Sequence, residues 1–157
     1  MTREHYGLNA DAVQVLLRRD GRALYVRKVA GAAHGAGEPT VVGGHLEGGE
    51  PFDRAARRSA REETGGHVEA RHEEFRAPAH YRSPRGGGRV GAVFVAQRRP
   101  GEPYDAGPDQ HDGLLRVPRQ RPPGNCHPYS FAIFRMLTEG PSYLAPNWMN
   151  SARGGSE

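Results

Sequence analysis

GGHLEGGEPFDRAARRSAREETG, running from Gly43 to Gly65, divides into a glycine-rich half and a helix-forming half. Pro51 stands at the first helical position, where a missing N–H does no harm, and the Gly65-Gly66 pair ends the run. Phe52, Ala55, Ala56 and Ala60 recur at helical spacing and predict one apolar stripe on a helix of about 13 residues. On that helix Arg58 and Glu62 lie one turn apart and can pair, and Ser59 and Glu63 repeat the spacing on the adjacent strip. Glu50 stands at the helix entrance behind glycines that let a backbone approach a ligand closely. Three carboxylates, Glu50, Glu62 and Glu63, therefore flank one short helix and one loop. Hard oxygen donors of this kind suit Mg²⁺ or Mn²⁺, which bind through a few carboxylates together with substrate phosphates. Such a metal neutralises phosphate charge and lowers the pKa of a bound water.

Outward from this stretch, Ala12–Leu17 and Ala23–Val29 are two β-prone runs around Asp20-Gly21, a tight-turn signal that predicts a hairpin. Ala30 to Pro39 reads as a Gly/Ala loop, and TVVGG as a short strand leading into the site. A strand is expected within HVEARHEEFRAPAHYRSP. A stronger one runs from Val90 to Gln97, and LLRVP forms a short one after a long acidic loop. A final helix starts near Pro128 and stops at Gly140-Pro141, with Phe131, Phe134 and Leu137 on its buried face. The order of elements predicts an α/β sandwich with helices around a mixed sheet. One domain is expected over residues 1–142, followed by a tail, 143–157, of turn composition from which Tyr143 and Trp148 could dock.

The chain has 157 residues, enough for one domain with a core of its own. Its net charge is +4, but Lys28 is the only lysine among 22 basic residues, and these are spread along the chain. A nucleic-acid surface requires a clustered patch, so stable nucleic-acid binding is not expected. The single cysteine, Cys126, excludes an internal disulfide and a multi-cysteine zinc site; it reads as a small buried filler. No long apolar run predicts a membrane segment, and the expected setting is cytoplasmic.

The opening stretch resembles the Nudix box, written G-x5-E-x7-R-E-U-x-E-E-x-G-U with U a bulky apolar residue. Gly44, Glu50, Arg58, Glu62, Glu63 and Gly65 match it at fixed spacing. GHLEGGE and AREETG look like small bacterial Nudix proteins related to MutT, and the order of elements fits across residues 8 to 140. The resemblance implies a Nudix-type α/β/α sandwich that hydrolyses a nucleoside diphosphate linked to another moiety, or a nucleoside triphosphate. Glu62 and Glu63 would bind the metal, joined by the Gly43 carbonyl and supported by Glu50, while Arg58 would hold a glutamate in orientation. Homodimers are common among such relatives.

The resemblance lapses at Ser59, where the pattern has a glutamate that acts in several members as general base or metal ligand. Ala60 and Gly66 are small for U positions. PTVVGG replaces a common Trp-x-Leu-Pro-Gly-Gly, and Gly107 to Gln110 and Arg116 depart from the related group. Serine is no base near neutral pH without an activating partner, and losing a positioned base slows a reaction by about 10²–10⁴. Glu47 in the loop is the first substitute and Asp109 the second, and Asp112 could also approach from the acidic loop. The alternative functions are a catalytically impaired nucleotide- or partner-binding protein and a fold repurposed for other diphosphate chemistry. Among weaker candidates, His45 reads as an exposed loop residue, His80 and Tyr81 as rim packing, and Arg82, Arg85 and Arg89 as solvated.

Overall fold

The computed structural model of the protein describes residues 8–17, 21–28, 37–82, 87–97, 111–118, 120–122, 124–126, 128–140, 143 and 145. Strand β1, Leu8–Leu16, holds the centre of the architecture. Every residue from Asp11 to Leu17 is buried, the pattern of a strand covered on both faces and paired on both edges. Its partners are β4, Val42–His45, antiparallel, and β6, Gly88–Ala96, parallel. Strand β5, Glu73–Arg82, pairs antiparallel with β6 and completes a mixed sheet of order β4-β1-β6-β5.

The expected hairpin between the first two strands does not form a ladder. Leu17↔Ala23 is an isolated bridge, after which β2, Arg22–Lys28, joins a second, antiparallel sheet of order β3-β2-β7. There β3 is Pro39–Thr40 and β7 is His111–Pro118. β6 takes one edge of β1 along its length and β4 takes Asp11–Gln14 of the other, so β2 meets β1 only at the bridge beyond them. The strand expected at LLRVP begins three residues earlier, at His111, shortening the acidic loop.

Helix α1, Phe52–Thr64, has the expected 13 residues, with Pro51 one position earlier than expected, as its N-cap. Gly65 ends it in the left-handed conformation, φ 68°, with its N–H on the Arg61 carbonyl. Ala55 and Ala56 pack on Ala12, Ala92 and Phe94 of the mixed sheet, while Ala60 joins Leu16, Val42 and Val68. A contact stripe of small residues, Ala55, Ala56, Ser59 and Ala60, lets the helix axis come close to the sheet. Helix α2, Pro128–Glu139, covers the other face, where Tyr129, Ile133, Phe134 and Met136 meet Val13, Val15, Val93 and Val95. Phe134 also lies 5.5 Å from Tyr25, centroid to centroid.

The predicted buried face of α2 needs correcting at Phe131, which is 44% exposed. The stripe that packs is 129, 130, 133, 134, 136, offset from one led by Phe131. Ser130 takes an interior place because its hydroxyl accepts the Val41 N–H at 3.2 Å and bonds Thr40 Oγ1 at 3.2 Å. That satisfies a backbone donor between β3 and β4. Tyr81 packs edge-on against Tyr129, as rim packing predicts. Cys126 is half-buried rather than fully buried. Tyr143 is exposed, and Trp148, Arg85 and Asp109 lie outside the described residues.

A polar tie joins α1 to β5. Arg57 donates to Glu73 Oε1 at 2.7 Å and pairs with Asp53 at 3.0 Å. The buried Gln14 amide, with its nitrogen toward Glu73, donates to the other Glu73 oxygen and accepts the Ala96 N–H. Burial pushes the Glu73 carboxyl up to about 7 from an ordinary 4.5, against the pull of Arg57. A raised folded pKa means that the native state keeps a proton the unfolded chain has lost. Stability from this group is therefore full below about 4.5 and falls as pH rises through about 7. Urea melts at about pH 5 and about pH 8 test this; the expected loss is roughly 1–3 kcal/mol, and Glu73→Gln flattens it. An equal pH slope in the variant would contradict the assignment.

Candidate active site

The loop before α1 is built by two reciprocal bonds. Glu47 N–H donates to Glu50 Oε1 at 2.9 Å, and Glu50 N–H donates to the Glu47 carbonyl at 3.2 Å. Gly49, at φ 81°, supplies the conformation that closes this turn. Glu50 then meets Arg58, whose Nε reaches both carboxylate oxygens at 3.1 Å and whose Nη2 reaches Oε1 at 2.6 Å. The same guanidinium donates to Glu62 Oε2 at 3.0 Å and to the His45 carbonyl at 3.0 Å. Glu47 lies 3.4 Å from Nη1. Arg58 is thus the hub of Glu47, Glu50, Glu62 and the loop backbone, a role its planar fork fits and a lysine's point charge does not. Its bonds, with the Glu47 N–H, hold the Glu50 carboxyl below the usual carboxylate range. The Arg58 guanidinium is pushed upward in turn, first by its hydrogen bonds to Glu50.

Glu63 is placed differently. Strand β4 is the edge of the mixed sheet, and Gly43 N–H donates to Glu63 Oε2 at 2.9 Å. In a β-strand the N–H and C=O of one residue point the same way. The Gly43 carbonyl therefore opens on the edge where the Glu63 carboxylate sits. Gly43 must be glycine, since a Cβ there would lie 2.6 Å from the Ala12 carbonyl oxygen. Ser59, one turn before Glu63, is 2% exposed and faces Gly44, with its Oγ 3.4 Å from where a Gly44 Cβ would be. The box's weak final position is also explained. Gly66 N–H is taken by the buried Thr64 hydroxyl, which itself donates to the Ala60 carbonyl.

The expected residues thus form two adjacent groups. Glu47, Glu50 and Glu62 surround Arg58, and Glu63 stands against Gly43. Among the described residues no three of His, Cys, Asp or Glu converge to hold a metal ion. A cage of protein carboxylates is not what Mg²⁺ demands, since it keeps waters and takes substrate phosphates as ligands. Glu62, exposed at 58% of its side chain, Glu63 and an edge-facing carbonyl are hard oxygen donors that fit such a substrate-completed site.

Sequence reasoning missed Asp11. Its side chain is only 7% exposed, yet it pairs with His45 Nδ1 at 2.8 Å and Arg89 Nε at 2.7 Å. Burial pushes its carboxyl up, and Arg89 and His45 pull it back. His45 is exposed, as expected, but anchored, and Arg89 is an ion-pair partner rather than a solvated loop residue. The available signal was an acid inside the apolar run ADAVQVLL, where an unpaired charge is not tolerated.

Comparison with known proteins bears on the family and the fold. The NUDIX domain matches residues 8–125, more than half of the chain. A search of curated proteins found no match. Among solved structures, a MutT NUDIX hydrolase from Burkholderia pseudomallei superposes with a TM-score of 0.73 at 24% identity, covering 82% of this chain and 96% of that one. A MutT protein from Methanosarcina mazei Go1 superposes with a TM-score of 0.72 at 14% identity, covering 88% and 98%. At these identities the likeness is one of fold. Nudix hydrolases as a group act on nucleoside diphosphate-linked small molecules with divalent cations, and among the described residues no helix is long and apolar enough to cross a membrane. The match over residues 8–125, on a mixed sheet held between two helices, makes this chain a member of the NUDIX family and a Nudix hydrolase.

Proposed function

We propose that the protein hydrolyses a phosphoanhydride bond in a nucleoside diphosphate-linked molecule or nucleoside triphosphate, with Mg²⁺, at a rate lowered by Ser59. The observation that carries this reading is the seat of Glu63 on the Gly43 edge, next in sequence to the exposed Glu62. Glu62, Glu63 and the Gly43 carbonyl would hold Mg²⁺, which supplies charge neutralisation at the phosphates and a more acidic water. Glu50 acts through Arg58, and Arg58 fixes the loop by its bond to the His45 carbonyl. Water attacks one phosphorus and the bridging P–O bond breaks, giving a phosphate monoester and a second phosphate product. Glu47, the more exposed of the two loop carboxylates at 67% against 16% for Glu50, would take the water's proton. Phosphoryl chemistry asks mainly for positioning and charge stabilisation, and both survive the loss of one base.

The test is a panel of nucleotides incubated with Mg²⁺, with phosphate release measured beside calorimetric Mg²⁺ binding. Turnover on one or more is the expected outcome. Absence of turnover on all of them, together with no Mg²⁺ binding, would overturn the hydrolase reading. Binding of Mg²⁺ and nucleotide without turnover would instead give a binding protein on a hydrolase scaffold.

A further inference from the structure

Helix α1 carries a second strip, opposite the one that packs. Ala55, Ala56, Ser59 and Ala60 are buried against the sheet. Arg54, Arg57, Arg58 and Arg61, spaced by three and four, share the outer side. They line a cleft of about 370 Å³ that His67 and Val68, beyond the Gly65-Gly66 exit, also line. Val68 is buried and gives the cleft an apolar floor. His67 Nδ1 lies 3.2 Å from Arg61 Nη2 and steadies one wall.

The four guanidiniums are not equivalent. Arg57 is matched by Asp53 and Glu73, and Arg58 by Glu50 and Glu62. Those bonds fix both side chains before any ligand arrives. Arg54 and Arg61 are exposed, and among the described residues neither pairs with a carboxylate. Each has like charges one turn away, an unfavourable arrangement on a helix that an anion between them would relieve. Glu62 borders the cleft, but its carboxylate is held by Arg58 at 3.0 Å. Two positive charges are thus left over, the complement of a doubly charged phosphate.

Guanidinium forks match phosphate oxygens in pairs. Arg54 and Arg61, seven residues apart, stand about 10.5 Å from each other along the axis. Two long side chains can close that span on one or two phosphates, while a nucleic-acid track requires a longer patch. Among the described residues no Phe, Tyr or Trp lines the cleft, so it has no such ring to stack on a base.

We propose that this cleft is a second phosphate site, on the side of α1 away from Glu63, in which Arg54 and Arg61 grip a phosphate or pyrophosphate group against a wall of Arg57 and Arg58. It requires no metal and does not depend on the hydrolase reading. The group arrives either as a free anion or as an outer phosphate of the substrate.

The full chain is titrated calorimetrically in EDTA, where a metal-dependent site is silent, with inorganic phosphate, inorganic pyrophosphate and ADP. Pyrophosphate binds without metal, and ADP binds within about threefold of it, since the nucleoside adds no contact. Arg54→Gln and Arg61→Gln, exposed changes outside the metal site, each weaken pyrophosphate about tenfold, the worth of a charged hydrogen bond. Pyrophosphate also raises the melting temperature of the parent and not of the double variant. With Mg²⁺ present, the source is read from kinetics. A free anion shows as phosphate inhibition that the double variant relieves with KM unchanged; a substrate phosphate shows as a raised KM for a nucleoside triphosphate with kcat kept. A parent that binds none of the three anions in EDTA, or a double variant that binds pyrophosphate as the parent does, overturns the site. Neither result touches the hydrolase reading, which turnover with Mg²⁺ decides.

Discussion

Glu63→Gln lowers turnover by about 10²–10³ while leaving the fold intact, on the scale expected when one element of transition-state charge stabilisation is removed. The two halves of that outcome follow from one contact. Gly43 N–H donates to Glu63 Oε2, and a glutamine oxygen accepts the same bond, so the edge of β4 keeps its partner. What disappears is the negative charge next to the Gly43 carbonyl, on which a divalent cation depends. Thermal unfolding of the variant should stay within about 2 °C of the parent, because the Gly43 N–H keeps its acceptor. Calorimetric Mg²⁺ affinity should fall together with kcat. Parental turnover in a folded Glu63→Gln protein would remove Glu63 from the chemistry.

The parts of this site that the sequence discloses are those written in local spacing. Arg58 and Glu62 meet because residues four apart on a helix are neighbours, and the two bond at 3.0 Å. Pro51 and Gly65 bound that helix for backbone reasons that require no tertiary partner. The family pattern adds the Gly43–Glu63 neighbourhood, which joins residues 20 apart through the sheet edge. Non-local pairings are harder to read. The Asp20-Gly21 signal suggests a hairpin, yet the competition for β1 is settled by β4 and β6, which lie far along the chain. The same holds for Asp11, whose partners come from β4 and β6. Helix α2 shows a third kind of failure. Its buried face is set by Ser130 reaching the Val41 N–H, so a polar residue goes inside while Phe131 goes out, against ordinary apolar counting.

Ser59→Glu raises turnover by about 10² or more if the reaction is limited by the missing base. The structure makes this a demanding substitution. Ser59 is 2% exposed, so a longer side chain at this place overpacks the α1–sheet contact, at roughly 1–3 kcal/mol. A path for it would run past Gly44, which has no Cβ beside the Ser59 Oγ, toward Gly43, the residue that Glu63 meets. A glutamate extended along that path brings its carboxylate to the same edge, and Mg²⁺ would offset the charge it carries there. The variant should therefore melt several degrees lower without metal and regain part of the loss when Mg²⁺ is added, because a ligand that binds only the native state stabilises it. Ser59→Ala serves as the control, with turnover and melting close to the parent. A folded Ser59→Glu protein with an unchanged rate would place the base elsewhere. Glu47→Gln then becomes decisive, since the loss of activity it causes would show that the loop carboxylate beside Arg58 has taken over the proton transfer that the helix gave up.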